Sequence, residues 1–290
     1  MSTNPSPGKF LTVVAAIVAL VAFAANSLLC RQALGAGTID AAGFASIRLL
    51  SGAVALLGLS AISGRRSGGR QGSWGTALSL FVYAFAFSFA YLTLSTGTGA
   101  LALFGAVQLT MILAGLRSGE RPGMAGWCGL LLALAGLVVL VLPGVSAPSP
   151  TGLLLMIAAG IAWGIYSLSG RGNQDPLAVT TANFVRSLPF ALVISLIMLP
   201  ALHLSGRGVI LAVLSGALAS AGGYVVWYAA LRGMTATLAA TVQLVVPVLA
   251  AAGGVCFLSE RISSRLVWAS VAILGGVALA VAGRSGSRRE

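Results

Sequence analysis

The sequence predicts an all-α polytopic membrane protein, with ten transmembrane helices arranged as two inverted five-helix repeats. Three observations predict it. Of 290 residues, 58% are hydrophobic and only 8% are charged; soluble domains carry roughly 25% charged residues. The apolar stretches are long enough for helices, which need roughly 20 residues to cross a bilayer. The second half of the chain also repeats the order of polar and aromatic residues in the first. The composition excludes a disordered chain, which is poor in apolar residues. It also excludes a collagen-like chain, since the 38 glycines have no three-residue period, and a disulfide scaffold, since there are 3 cysteines.

Apolar windows between polar breaks give the spans in order. The first five are Phe10–Leu29, Ala41–Ile62, Ser73–Leu94, Ala100–Leu116 and Met124–Leu142. The second five are Thr151–Ser169, Leu177–Leu202, Val209–Leu231, Ala236–Leu258 and Leu266–Ala282. The breaks have turn chemistry: the Arg/Gly/Ser run from Ser63 to Arg70, the Pro/Ser segment from Gly144 to Pro150, and Gly170 to Pro176. The first span ends a possible signal sequence at Ala22-Phe23-Ala24, but its apolar run continues to Leu29, so it is read as a retained helix. Lys9, Arg65, Arg66, Arg70, Arg117, Arg121, Arg171, Arg232, Arg284, Arg288 and Arg289 fall on one side of such a bundle, against Arg31, Arg207, Arg261 and Arg265 on the other. Eleven against four puts both termini in the cytoplasm. The net charge of +12 is then a topology signal facing anionic lipid; its dispersal over loops argues against nucleic-acid binding.

The repeats comprise residues 1–146 and 147–290. Ser27–Arg31 aligns with Ser167–Arg171, Arg48 with Arg186, Tyr91 with Tyr228, Val107-Gln108-Leu109 with Val242-Gln243-Leu244, Glu120-Arg121 with Glu260-Arg261, and Trp127 with Trp268. An odd number of spans per repeat makes the second copy enter the membrane in the opposite sense, a plan shared by secondary transporters with a site near the midplane.

Candidate site residues follow from polar and aromatic groups inside the spans. Arg48 and Arg186 are either clamps for a substrate carboxylate or structural ties. Gln108 and Gln243 either tie helices or line the path. Trp163 and Tyr166 share a helix face, as do Tyr83 with Phe87, and Tyr224 with Trp227 and Tyr228. Asn26 is the counterpart of Tyr166. For the aromatic residues two readings compete: an interfacial belt, favoured for Trp227 and Tyr228 beside Arg232, and a cavity wall, favoured for the deeper Tyr83 and Tyr224. Glu120 and Glu260 read as anchors near helix N-termini. Pro189 and Pro247 read as kinks or as tolerated prolines. Cys30, Cys128 and Cys256 have no CxxC spacing, and His203 is the single histidine, so no metal site, cofactor or catalytic set is expected.

The stretch Pro247-Val-Leu-Ala-Ala-Ala-Gly-Gly-Val-Cys-Phe-Leu-Ser-Glu-Arg261, with one arginine in each repeat's second span, resembles the EamA branch of the drug/metabolite transporter superfamily. Gly119-Glu-Arg-Pro122 is its first-half counterpart, and the resemblance covers the whole chain. It implies a carrier of small metabolites in the bacterial inner membrane, not an enzyme. Within the family the chain looks most like the aromatic amino acid exporters. The resulting expectation is alternating access by a monomer that exports aromatic or apolar amino acids. With no carboxylate inside a span, a facilitator is expected. The alternatives are a drug-like amphiphile, nucleotide sugar or sugar phosphate as cargo, or proton-coupled antiport.

Overall fold

The computed structural model describes residues 9–64, 72–117, 123–141, 148–170, 175–231 and 242–286. Its regular elements are α1 (Lys9–Gly35), α2 (Ala41–Ile62), α3 (Trp74–Ala90), α4 (Thr96–Arg117), α5 (Met124–Val141), α6 (Pro150–Gly170) and α7 (Pro176–Ile197). A 3-10 turn, Leu199–Ala201, leads to α8 (Gly206–Val213). A π-helical segment, Leu214–Gly222, joins α8 to α9 (Gly223–Leu231), and α10 (Val245–Leu258) and α11 (Ser264–Gly286) follow. Among the described residues, six helical stretches are long and apolar enough to cross a membrane, and shorter apolar helices accompany them. α1 runs unbroken through Ala22–Ala24.

Local chemistry starts these helices where the sequence allows. The Asp40 carboxylate accepts from Gly43 N at 2.7 Å to cap α2, and Asp175 accepts from Ala178 N at 3.2 Å to cap α7, with Pro176 in its first turn. Ser73 and Thr76 form a capping box on α3, and the Ser205 hydroxyl caps α8. Each such oxygen satisfies one of the backbone donors that a helix start leaves unpaired. Pro247 falls in the first turn of α10, where no intrahelical hydrogen bond is lost, the position in which a proline is tolerated. Pro189 lies inside α7.

Several helices pack across the two halves of the chain. α2 packs on α7, α4 on α10 and α5 on α11. α3 and α4 pack on α6, while α8, the π segment, α9 and α10 pack on α1. At one end of the bundle the connections knit together: Asp40 N donates to His203 O at 2.9 Å, Ser205 N to Thr38 O at 3.0 Å, and His203 N to the Asp40 carboxylate at 3.0 Å. Close by in chain terms, Arg31 at the end of α1 donates to Tyr91 O at 2.9 Å and pairs with Glu260 at 3.3 Å. Both Glu260 carboxylate oxygens accept from Thr96 N, at 2.9 and 2.8 Å. Glu260 is therefore an anchor at a helix N-terminus as expected, but the helix is α4, 164 residues away, rather than its own neighbour α11. Glu120 lies outside the described residues. At the opposite end Thr76 donates to Asn183 at 2.7 Å, and Ser60 meets Thr181 at 3.3 Å.

Candidate functional site: an aromatic cavity backed by a buried arginine

Helices from both halves meet at a set of rings. Phe23 of α1 contacts Trp163 of α6 edge-on, with centroids 6.0 Å apart, and contacts Tyr224 and Trp227 of α9 at 6.0 and 5.8 Å. Trp163 lies 4.9 Å from Tyr83 of α3, 4.7 Å from Tyr224 and 5.5 Å from Tyr166, with which it stacks. Phe23, Tyr83, Phe87, Trp163 and Tyr224, with Ser27, Leu103 and Phe104, surround a cavity of about 10 Å³. That is about the room of one water, where binding pockets run to roughly 300–1,000 Å³. A cargo of amino-acid size therefore enters only when these side chains part.

Behind this wall lies Arg48, 1% exposed. Its Nε donates to Ser220 Oγ at 3.0 Å, and its Nη2 to the hydroxyls of Tyr83 at 3.0 Å and Tyr224 at 3.3 Å. Its Cζ sits 4.9 Å from the Tyr83 ring centre and 5.0 Å from that of Phe87. Nη1 is buried without a hydrogen-bond partner. Asn26 extends the network, donating to the Tyr83 hydroxyl at 3.3 Å and accepting from Ser215 at 2.6 Å. Among the described residues no carboxylate pairs with Arg48; Glu260 pairs with Arg31 instead. An arginine at the centre of a membrane helix costs roughly 2.5–3.5 kcal/mol on insertion scales. Neutral hydroxyls and ring faces offset only part of it.

The π segment builds this network. Its wider turn brings residues five apart nearly above one another, so Ser215 and Ser220 both face the site, one toward Asn26 and the other toward Arg48. Backbone contact is close there: a methyl group at Gly216 would collide with the Arg48 carbonyl oxygen and Ser51 Oγ.

The structure sorts the sequence candidates. Asn26, Arg48, Tyr83, Phe87, Trp163, Tyr166 and Tyr224 come together. Tyr166 stands at the rim of the cavity, its hydroxyl beside Asn183, Thr180 and Tyr228. Trp227 is 2% exposed and packs on Phe23, so the belt reading fails for it; Tyr228, 9% exposed, is also interior. Gln108 and Gln243 are buried on α4 and just before α10, and neither lines the cavity. Arg186 does not line the cavity. It is half-buried beside Gly72, at the end of the bundle where α3 starts. The capping aspartates explain this. Arg48 stands eight residues after Asp40, and the residue eight after Asp175 is Asn183; Arg186 lies one turn too far along α7. Ser215, Ser220 and Phe23 belong to the site without having been singled out. The serines became visible only through the π geometry.

The chain is an apolar multi-helix bundle with rings and a buried cation between its helices, and among the described residues six helical stretches are long and apolar enough to cross a membrane. Known proteins place it further. Residues 150–282 match the EamA-like transporter family. The chain is 53% identical over 275 residues to uncharacterized protein PA1977 of Pseudomonas aeruginosa, covering 95% of this chain and 96% of that one. A solved crystal structure at 20% identity has the same fold, with a TM-score of 0.69 and coverage of 94% of this chain and 98% of its own. The chain belongs to the EamA-like transporter family and is a membrane transporter.

Proposed function

We propose that this transporter is a ten-span carrier of the bacterial inner membrane, both termini cytoplasmic, that exports small metabolites with aromatic or apolar bodies, aromatic amino acids foremost. The observation that carries the reading is the ring cluster, because it draws Phe23 and Tyr83 from the first half and Trp163 and Tyr224 from the second into one wall. A wall shared between halves opens when they rock against each other, which is the geometry alternating access needs. The half-exchange symmetry of the packing supports an inverted repeat: α2 with α7, α4 with α10 and α5 with α11 are each a helix against its own counterpart. Flat apolar cargo suits ring faces, which add roughly 0.5–1.5 kcal/mol per contact beyond area burial.

A facilitator is the favoured mode. Asp40, Asp175 and Glu260 are at helix ends, and no carboxylate lines the cavity among the described residues. Proton relays in membranes use intramembrane carboxylates or histidines.

The test is counterflow in proteoliposomes. Vesicles preloaded with unlabelled phenylalanine should transiently concentrate labelled phenylalanine from outside, and an imposed pH gradient should not change the final level. Trp163→Ala should lower phenylalanine flux about two- to tenfold relative to alanine, from the stacking lost. No counterflow of any aromatic cargo, or equal loss for both amino acids, overturns the reading.

A further inference from the structure

We propose that Arg48 is the anion-recognition group of the central cavity, and that the cargo is recognised as a monocarboxylate on an aromatic or apolar body, with no requirement for an amino group. The inference rests on the carrier reading above and narrows its cargo.

Arg48 carries a charge without a counter-charge among the described residues. Arg48 is buried, and every partner it has is a neutral hydroxyl: Ser220, Tyr83 and Tyr224. Its Nη1 has none. A guanidinium does not deprotonate in the physiological range, so the positive charge persists in every state of the cycle. A buried cation is expected to pair, and a charged group inside a membrane helix marks a substrate or ion path. Among the described residues the chain supplies no anion to Arg48, so the anion comes with the cargo.

Position agrees. Tyr83 and Phe87 flank the guanidinium and also line the cavity, so Arg48 is one ring behind the wall. When the rings part to admit cargo, the Tyr83 and Tyr224 hydroxyls leave Nη2. Nη1 and Nη2 together then form the planar fork that holds a carboxylate through two parallel hydrogen bonds.

The same geometry limits what else binds. A phosphate dianion calls for more than one cation, and Arg186 sits beside Gly72 at the end of the bundle rather than at the cavity. An ammonium group finds no carboxylate in the lining. Two of the ring faces that could stabilise it, those of Tyr83 and Phe87, already serve the guanidinium, whose like charge repels it. The amino group of an amino acid is thus tolerated rather than read.

The experiment uses the full chain in proteoliposomes, with labelled phenylalanine counterflow competed by phenylacetate, phenylalanine and the neutral isostere phenylacetamide. Phenylacetate is expected to compete within about threefold of phenylalanine. Phenylacetamide should be at least about tenfold weaker, from the lost charge-assisted hydrogen bonds. Arg48→Gln should bring the acid-to-amide ratio close to one, and Arg48→Lys should keep part of it. Should Arg48→Gln fail to fold, the wild-type panel and Arg48→Lys still decide. Phenylacetamide competing as well as phenylacetate overturns the anion assignment while leaving the carrier reading intact, as does an acid-to-amide ratio that survives Arg48→Gln. Phenylacetate more than about tenfold weaker than phenylalanine overturns the indifference to the amino group. Absence of counterflow with every aromatic probe overturns the carrier reading and this inference with it.

Discussion

Removing the Glu260 carboxylate should loosen the first turn of α4 and little else. Glu260→Ala deletes two acceptors at once, since both oxygens receive the Thr96 amide, and it also frees Arg31. Loss of a helix cap costs about 0.5–2 kcal/mol. The Arg31 pair adds at most about 1 kcal/mol, since Arg31 keeps its hydrogen bond to Tyr91 O when Glu260 is gone. A total of about 1–2 kcal/mol is a factor of roughly 5–30 in the opening equilibrium. Amide hydrogen exchange read by mass spectrometry on peptides spanning Thr96–Leu101 should therefore accelerate by that factor, with peptides from Phe104 onward unchanged. Glu260→Gln keeps one acceptor oxygen and should fall between. Unchanged exchange at Thr96–Gly99 in a folded Glu260→Ala protein would show that the long-range cap does not hold this helix end.

Two further outcomes follow from packing and topology. Gly216→Ala forces the π segment away from the α2 backbone at Arg48 and should cost about 1–3 kcal/mol of overpacking, read as a lower melting temperature in detergent; Gly58→Ala, which meets nothing within 4 Å, should match or slightly exceed wild type. In a background lacking Cys30, Cys128 and Cys256, Gly123→Cys should label from the cytoplasm and Gly206→Cys from the opposite side, both positions being open; labelling of Gly206→Cys from the cytoplasm alone would refute the proposed orientation.

Legibility in the sequence tracked how local each cause is. α2 spans Ala41–Ile62 as expected, because its cap, Asp40, precedes it and a charged run follows. α3 stops at Ala90 rather than Leu94, since hydropathy does not register that Tyr91 turns the chain. α4 begins at Thr96, ahead of the expected Ala100. Thr-Gly-Thr-Gly reads as a loop, and the group that makes it helical, Glu260, lies 164 residues away. The ring cluster was visible because aromatic spacing on a helix is a local pattern. The different surroundings of Arg48 and Arg186 were not legible, because each position along its helix is set by where that helix is capped rather than by residue type. Ser215 and Ser220 were invisible, because on an ordinary helix they would face different ways.

The π segment also makes the site depend on chain length. Leu214–Gly222 sits between a capped start at Ser205 and the aromatic face of α9, so it sets the angular phase of everything after it. Each residue of an α-helix turns the chain by about 100°. Deleting one residue from the segment would let it tighten to an ordinary helix and turn Ser215 and Ser220 apart, so that Asn26 or Arg48 loses its partner with every aromatic side chain still present. Most substitutions inside the segment leave that phase untouched. In relatives of this chain, the number of residues between Ser205 and Tyr224 is therefore a sharper mark of a shared site than the identity of any one of them.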